Sequence, residues 1–283
     1  MSRHKLGMAP VLLWLSLFLI IPMLIVAGIS FLQRDALGQL VFSFSIEGYK
    51  TFFDPLYLGI YWDTIVLSVT TTVICLLISY PMAYYIANAP PRVQTWGLIL
   101  ITVPFWINFL IRTYAWILLL RTQGVVNTLL MEFGWIQEPL QLLYTPGAVL
   151  LGMVYNFIPF MVLPIYVALE QMDKRLLDAA YDLGASKWKA FRHITLNQSK
   201  SGIMTGCVLV YVSTTGMFVV TDILGGAKSA MISNIIQSQF LGARNWPFGA
   251  ALSVIFVLTS LILILLFNRA MQARYLKVKE GGA

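Results

Sequence analysis

Charge is scarce in this sequence: 11% of its 283 residues are Asp, Glu, Lys or Arg, against 59% hydrophobic, and the mean hydropathy is +0.79. A chain of this composition cannot hide its apolar surface in a water-soluble core, so a bilayer is its main solvent. Histidine and cysteine are scarcer still, two of each. His4 and His193 lie in separate segments, and neither belongs to an H-E-x-x-H or comparable ligand spacing. Cys75 and Cys207 fall inside apolar runs, where a thiol behaves as a small apolar residue, so no disulfide framework follows from them. A G-x-S-x-G elbow is missing as well. The run Gly225, Gly226, Ala227, Lys228, Ser229 has the tail of a phosphate loop, but Ala227 stands where a glycine must precede the lysine. A membrane enzyme is thus left without a recognisable catalytic cluster, and ATP without a binding loop.

Long apolar runs are what the chain has instead. Crossing about 30 Å of hydrocarbon takes roughly 20 apolar residues as a helix, and runs of that length occur six times, at about 9–31, 64–87, 95–120, 146–169, 202–224 and 248–270. In lipid each must be helical, because no water is there to satisfy a bare backbone. Arg3, His4 and Lys5 ahead of the first run mimic a secretory leader, with Ala27 and Gly28 as its small residues. That run, roughly 26 residues, is too long for a signal core and reads as a retained first helix. The expected fold class is an all-α integral membrane protein, one transmembrane domain over 1–283 with a loop at 170–200.

Orientation follows from Lys and Arg. With both termini in the cytoplasm, 13 of the 19 lie on that side and 5 on the other, while Arg112 falls inside a span. The termini and the loop around Asp178 are therefore expected in the cytoplasm. The same bias accounts for the net charge of +7 as a topology signal beside anionic lipid, with no need for nucleic-acid binding. The N-x-S match at Asn197 to Ser199 is then on the wrong side for a glycan. Gly202 and Gly206 form a G-x-x-x-G that suits close helix packing.

The longest charged insert between spans is DAAYDLGASKWKAFRHITLN, Asp178 to Asn197. In its first half Leu176, Ala180 and Leu183 share one helical face, while Lys174, Asp178 and Asp182 line another at i,i+4 spacing. Gly184 suits the residue after a helix, because glycine accepts positive φ. Ser186 can cap a second helix with Trp188, Phe191 and Thr195 on its apolar side. Helix, turn, helix follows; an interfacial pair lying on lipid and a projection for a partner fit it equally.

This segment resembles the cytoplasmic signature of the permease subunits of bacterial ABC importers, E-A-A, three residues, Gly, then I-x-L-P. Ala179, Ala180, Gly184, Ile194 and Leu196 match in register, while Asp178 replaces the Glu and Asn197 the Pro. The stretches DPLYL from Asp54, VPFWINFLIRTYAW from Val103, TPGAVLLGMVYNFIPFMVLPIY from Thr145, DILGGAK from Asp222 and NWPFGAA from Asn245 are similar to the spermidine and putrescine (polyamine) importer permeases of the PotB/PotH type. The likeness spans nearly the whole chain. It implies the type I ABC importer permease fold with six transmembrane helices, in the bacterial inner membrane, as a non-catalytic subunit that binds no cofactor. Asp178, Ala179, Ala180, Gly184 and Ala185 would belong to a coupling helix between spans four and five. The partners it implies are two copies of an ABC ATPase subunit that uses the ATP, a second six-span permease of the PotC/PotI type and an extracytoplasmic polyamine-binding protein.

A polycation needs carboxylates for its ammonium groups and aromatic faces for cation–π contact. Asp222 and Asp63 on the outer side, with Trp106 and Tyr155 in or near spans, are the candidates for the substrate path; span-end carboxylates and belt aromatics are the plainer reading of each. Glu170 on the inner side simply begins the cytoplasmic charge cluster. Arg112 points the other way. A buried guanidinium should have a partner, so pairing with an acidic residue or a helix C-terminus is expected. If it lines the path instead, a small anion such as sulfate or phosphate becomes the cargo, and iron or another small solute is a further alternative; a lipid-handling protein is the alternative from another class. Asn108 lies one turn before Arg112 on the same face. Asn156, Pro104, Pro159 and Pro164 suggest either packing kinks or breaks with carbonyls turned to a cavity.

Overall fold

The computed structural model describes residues 13–35, 38–226 and 229–280, the last ten by backbone alone. Residues 9–12 of the first expected span and Ala227–Lys228 of the loop-like run lie outside these. In chain order the elements are α1 (Leu13–Ile29), a small antiparallel hairpin of β1 (Gln33–Arg34) and β2 (Leu40–Val41), α2 (Glu47–Phe52), α3 (Pro55–Asn88), α4 (Pro91–Trp106), α5 (Phe109–Leu120) and α6 (Val125–Glu132). Then come α7 (Pro146–Glu170), α8 (Arg175–Asp182), α9 (Lys187–Ala190), α10 (Lys200–Thr215), α11 (Ile232–Gln237) and α12 (Trp246–Glu280).

Among the described residues three helices are long and apolar enough to span by themselves: α3, α7 and the Trp246–Ala270 part of α12. They carry the second, fourth and sixth expected spans. The third and fifth differ from the continuous helices expected there. Residues 95–120 contain a break at Ile107–Asn108 with a 92° bend, and residues 202–224 a 56° bend at Gly216–Met217. The first break has local causes. Pro104 removes one backbone donor from the last turn of α4, and the Asn108 side chain accepts from Leu110 N at 2.8 Å, capping a new helix instead of continuing the old one. By contrast α7 runs unbroken through Pro159 and Pro164.

One compact unit comprises described residues of Met1–Tyr61 and Ile232–Leu266. Its core gathers Phe52, Ile232, Phe248 and Leu252, with Tyr61 edge-on to Phe52 at 5.5 Å and Tyr57 edge-on to Phe248 at 4.9 Å. The Tyr61 hydroxyl donates to Thr259 Oγ1, so both polar groups are satisfied within the chain, as a lipid setting requires.

The other unit, described within Trp62–Met231 and Phe267–Ala283, is built around α7. Lipid tails are as apolar as leucine, so burial alone does not drive helices together in a membrane; close packing of small residues does. Along α3 the buried positions Thr64, Ser68, Thr71, Cys75, Ser79 and Ala83 recur every three or four residues as one small-residue stripe. That stripe faces α7: Cys75 Sγ lies 3.7 Å from Val154 O and Ser79 Oγ donates to Ile158 O at 3.5 Å. On another side α10 lies along α7 through Gly202 and Gly206. A Cβ at Gly202 would fall 2.7 Å from the Ala168 Cβ, and one at Gly206 2.7 Å from Met161 Sδ. The G-x-x-x-G is therefore a packing motif.

Candidate functional site

The break between α4 and α5 opens a cavity of about 480 Å³ lined by Phe105, Trp106, Asn108, Arg112, Asn156 and Phe160, together with Ile107, Phe109, Phe157, Ser213 and Met217. Helix α7 contributes Asn156, Phe157 and Phe160, spaced so that they share one face. Trp106, at the last turn of α4, is 82% exposed and presents its ring to the space. Asn156 is 3% exposed; its Nδ2 donates to Gly152 O at 2.8 Å, and its Oδ1 is buried with no partner.

Arg112 lies in this lining, not in an ion pair. Among the described residues no carboxylate pairs with it, and its Nε is buried without a hydrogen-bond partner. Its guanidinium carbon stands 5.8 Å from the Phe105 ring centroid and 6.0 Å from that of Tyr155. The expected acidic partner or helix C-terminus is thus replaced by two aromatic faces, which attract the cation through their quadrupoles. Asn108 and Arg112 do share the cavity, as their spacing predicts.

The four candidate path residues do not converge on one space. Trp106 lines the 480 Å³ cavity. Tyr155 flanks it through Arg112 and meets Trp116 edge-on at 5.5 Å. Asp63 lines a second cavity, about 410 Å³, with Thr70, Pro146, Leu150, Ser229 and Met231. Asp222 is exposed on a π-helical turn, Thr221–Gly225, and lines neither cavity. Sequence reasoning missed Phe105, Phe157, Phe160, Ser213 and Met217. The i,i+3 pair Phe157 and Phe160 was a readable signal; the others come together only through the break.

A second candidate surface is the Asp178 segment. Arg175–Asp182 forms a helix and Lys187–Ala190 another, joined at Gly184, whose φ is +79°. Gly184 N donates to Tyr181 O and Ala185 N to Ala180 O, both at 2.9 Å, the second being the six-to-one bond that closes helices on a left-handed residue. Ser186 accepts from Lys189 N at 3.3 Å as the cap of α9. Phe191 then meets Tyr80 and Tyr84 of α3 edge-on at 5.9 and 5.8 Å, and Ser199 Oγ is 3.1 Å from the Tyr80 hydroxyl. Inward anchoring leaves the other face bare: Leu183 is 88% exposed and Trp188 68%, with Leu176 and Tyr181 exposed beside them. Asp178 and Ala179 are exposed as well, and Ala180 and Ala185 half-buried. At Asn197 the side chain donates to His193 O at 2.7 Å, and the helical path runs on through Leu196–Gln198 to a break at Ser199.

Comparison with known proteins adds four findings. The model of the family described as "Binding-protein-dependent transport system inner membrane component" matches residues 76–277. The spermidine/putrescine transport system permease protein PotB of Haemophilus influenzae is 42% identical over 267 residues, 94% of this chain and 93% of that one. Its namesake in Escherichia coli K12 is 40% identical over 266 residues, 94% and 97% of the two chains. A solved bacterial ABC transporter that imports the acidic polysaccharide alginate has a chain matching at TM-score 0.70 and 18% identity, over 95% of each chain, a likeness of fold alone.

Proposed function

Because the chain belongs to the family of binding-protein-dependent transport system inner membrane components, we propose that it forms half of the translocation path of an ATP-driven polyamine importer and is driven by a separate ATPase. The observation that carries the coupling half is the bare apolar face of α8 and α9, with Leu183 and Trp188 exposed on a projection whose other side is anchored to α3. An amphipathic helix left uncovered on one side suits a groove on a partner. The cargo assignment is supported by identity of 40–42% to the PotB proteins over nearly their whole length.

Two ATPase subunits, a second permease and an extracytoplasmic binding protein complete the machine, with both termini and the Asp178 projection in the cytoplasm. Asp178, Ala179, Ala180, Gly184 and Ala185 meet the ATPase, which holds and hydrolyses the ATP. When the ATPases close, the push enters at α8 and α9 and passes through Phe191 to Tyr80 and Tyr84. It also enters α10, whose glycines seat it so closely on α7 that the two move as one body. Helix α7 carries Asn156, Phe157 and Phe160, so the stroke reshapes the cavity wall. Trp106 and Tyr155 offer aromatic faces to the ammonium groups and methylene stems, and Asp222 and Asp63 supply carboxylates.

ATP-dependent uptake of labelled spermidine by the assembled transporter in vesicles tests the reading; its absence with a loaded binding protein would overturn the cargo. Arg112 in the cavity lining favours a second reading, a small anion as cargo. Sulfate that is taken up, and that spermidine fails to displace, would select it.

A further inference from the structure

Among the lining residues of the α4–α5 cavity, Arg112 alone carries a full charge. It is 8% exposed, its Nε is unpartnered, and the two rings that flank it compensate only part of its charge. The first turn of the twelve-residue α5 opens on the same space at Asn108 and Phe109 and adds the positive end of a helix dipole. Against these stand dipoles only, the unpartnered Asn156 Oδ1 and the negative end of α4, which closes on the same space at Trp106 and Ile107. The rest of the wall is almost wholly aromatic and aliphatic, so the field is weakly screened. A wall of this kind is odd for a path that carries cations.

We propose that Arg112 is a fixed-charge barrier that keeps small inorganic cations from leaking along the substrate path. The proposal rests on the cavity being part of that path. A potassium or sodium ion near Arg112 faces a like charge in a largely aromatic space that offers few oxygens in place of its hydration shell. A polyamine differs in shape. Its ammonium groups are separated by methylene stems, so a stem can lie opposite Arg112 against Phe105 and Phe160 while the charges sit on either side. Phe105 helps to hold Arg112 in place and also receives the stem. Arg112 is thereby a specificity determinant that rejects point cations and tolerates an elongated one.

Passive potassium flux tests this, measured without ATP in vesicles holding the complete transporter as wild type, Arg112→Gln, Arg112→Lys and Asn156→Asp. Removing the charge and neutralising it from across the cavity should each raise the flux by about tenfold or more, and Arg112→Lys should stay near the wild-type level. Assembled Arg112→Gln and Asn156→Asp complexes that hold potassium as tightly as the wild type would overturn the barrier. Where Arg112→Gln fails to assemble, Asn156→Asp decides alone, since it keeps the guanidinium and adds a carboxylate. ATP-driven spermidine uptake by the wild type in the same vesicles separates the two ideas: no uptake sinks the cargo and leaves the leak comparison intact.

Discussion

The ring of Phe191 stands edge-on to that of Tyr80, 5.9 Å between centroids with 83° between planes, and so joins the Asp178 projection to a membrane-spanning helix. Tyr84, one turn further on, makes the same contact at 5.8 Å. Force applied to the exposed side of the projection has a rigid route into α3.

Phe191→Ala should therefore weaken transmission more than folding. Each ring pair is worth about 0.5–1.5 kcal/mol beyond its buried area and both are lost, so stimulation of the ATPase by loaded binding protein should fall roughly fivefold to a hundredfold, with the permease still inserted and still copurifying with its ATPase. Unchanged stimulation would remove Phe191 from the route.

Gly184 and Ala180 test the docking face itself. At φ +79° a side chain is strained by roughly 1–2 kcal/mol, and Gly184→Glu adds charge to an apolar surface; Ala180→Glu adds charge without the strain. Both should abolish uptake and deplete the ATPase from the purified complex while membrane levels hold. Normal uptake in either variant contradicts the coupling assignment.

Gly206→Leu probes the α7–α10 seam. Its Cβ would start 2.7 Å from Met161 Sδ and 3.3 Å from the Met161 backbone, so the helices must part. Overpacking of this kind costs about 1–3 kcal/mol, and the melting temperature in detergent should drop by several degrees, roughly as that cost implies. An unshifted melting curve would mean that the seam is loose.

Trp106→Ala and Asp222→Asn address the cargo. A cation–π contact is worth about 0.5 kcal/mol when exposed and about 2 kcal/mol when desolvated, so Trp106→Ala should raise the KM for spermidine roughly twofold to thirtyfold, with Trp106→Phe in between. Asp222→Asn should raise KM at an unchanged expression level. If Trp106→Ala leaves KM alone, the exposed indole is a belt anchor.

Local chemistry was legible residue by residue. The left-handed turn at Gly184, the Ser186 cap and the close approach at Gly202 and Gly206 all follow from side-chain size and backbone freedom at one position. The break at Ile107–Asn108 was harder to see, because apolar composition is the same whether a run crosses straight or bends by 92°. Asn108 was read as a neighbour of Arg112 when its first task is to cap α5. Arg112 was expected to pair with an acidic residue or a helix C-terminus, since sequence shows charges but not which faces meet; it found Phe105 and Tyr155.

Composition, run length and turn residues by themselves determined that the chain lives in a bilayer as helices and carries a charged helix-turn-helix segment, because solvation and local conformational preference act within a few residues. Tertiary structure decided where the third run breaks, which aromatics gather around Asn156 and that Arg112 faces a cavity without a carboxylate. Those outcomes depend on packing between helices distant in sequence, where small residues set the approach and the bend sets the space.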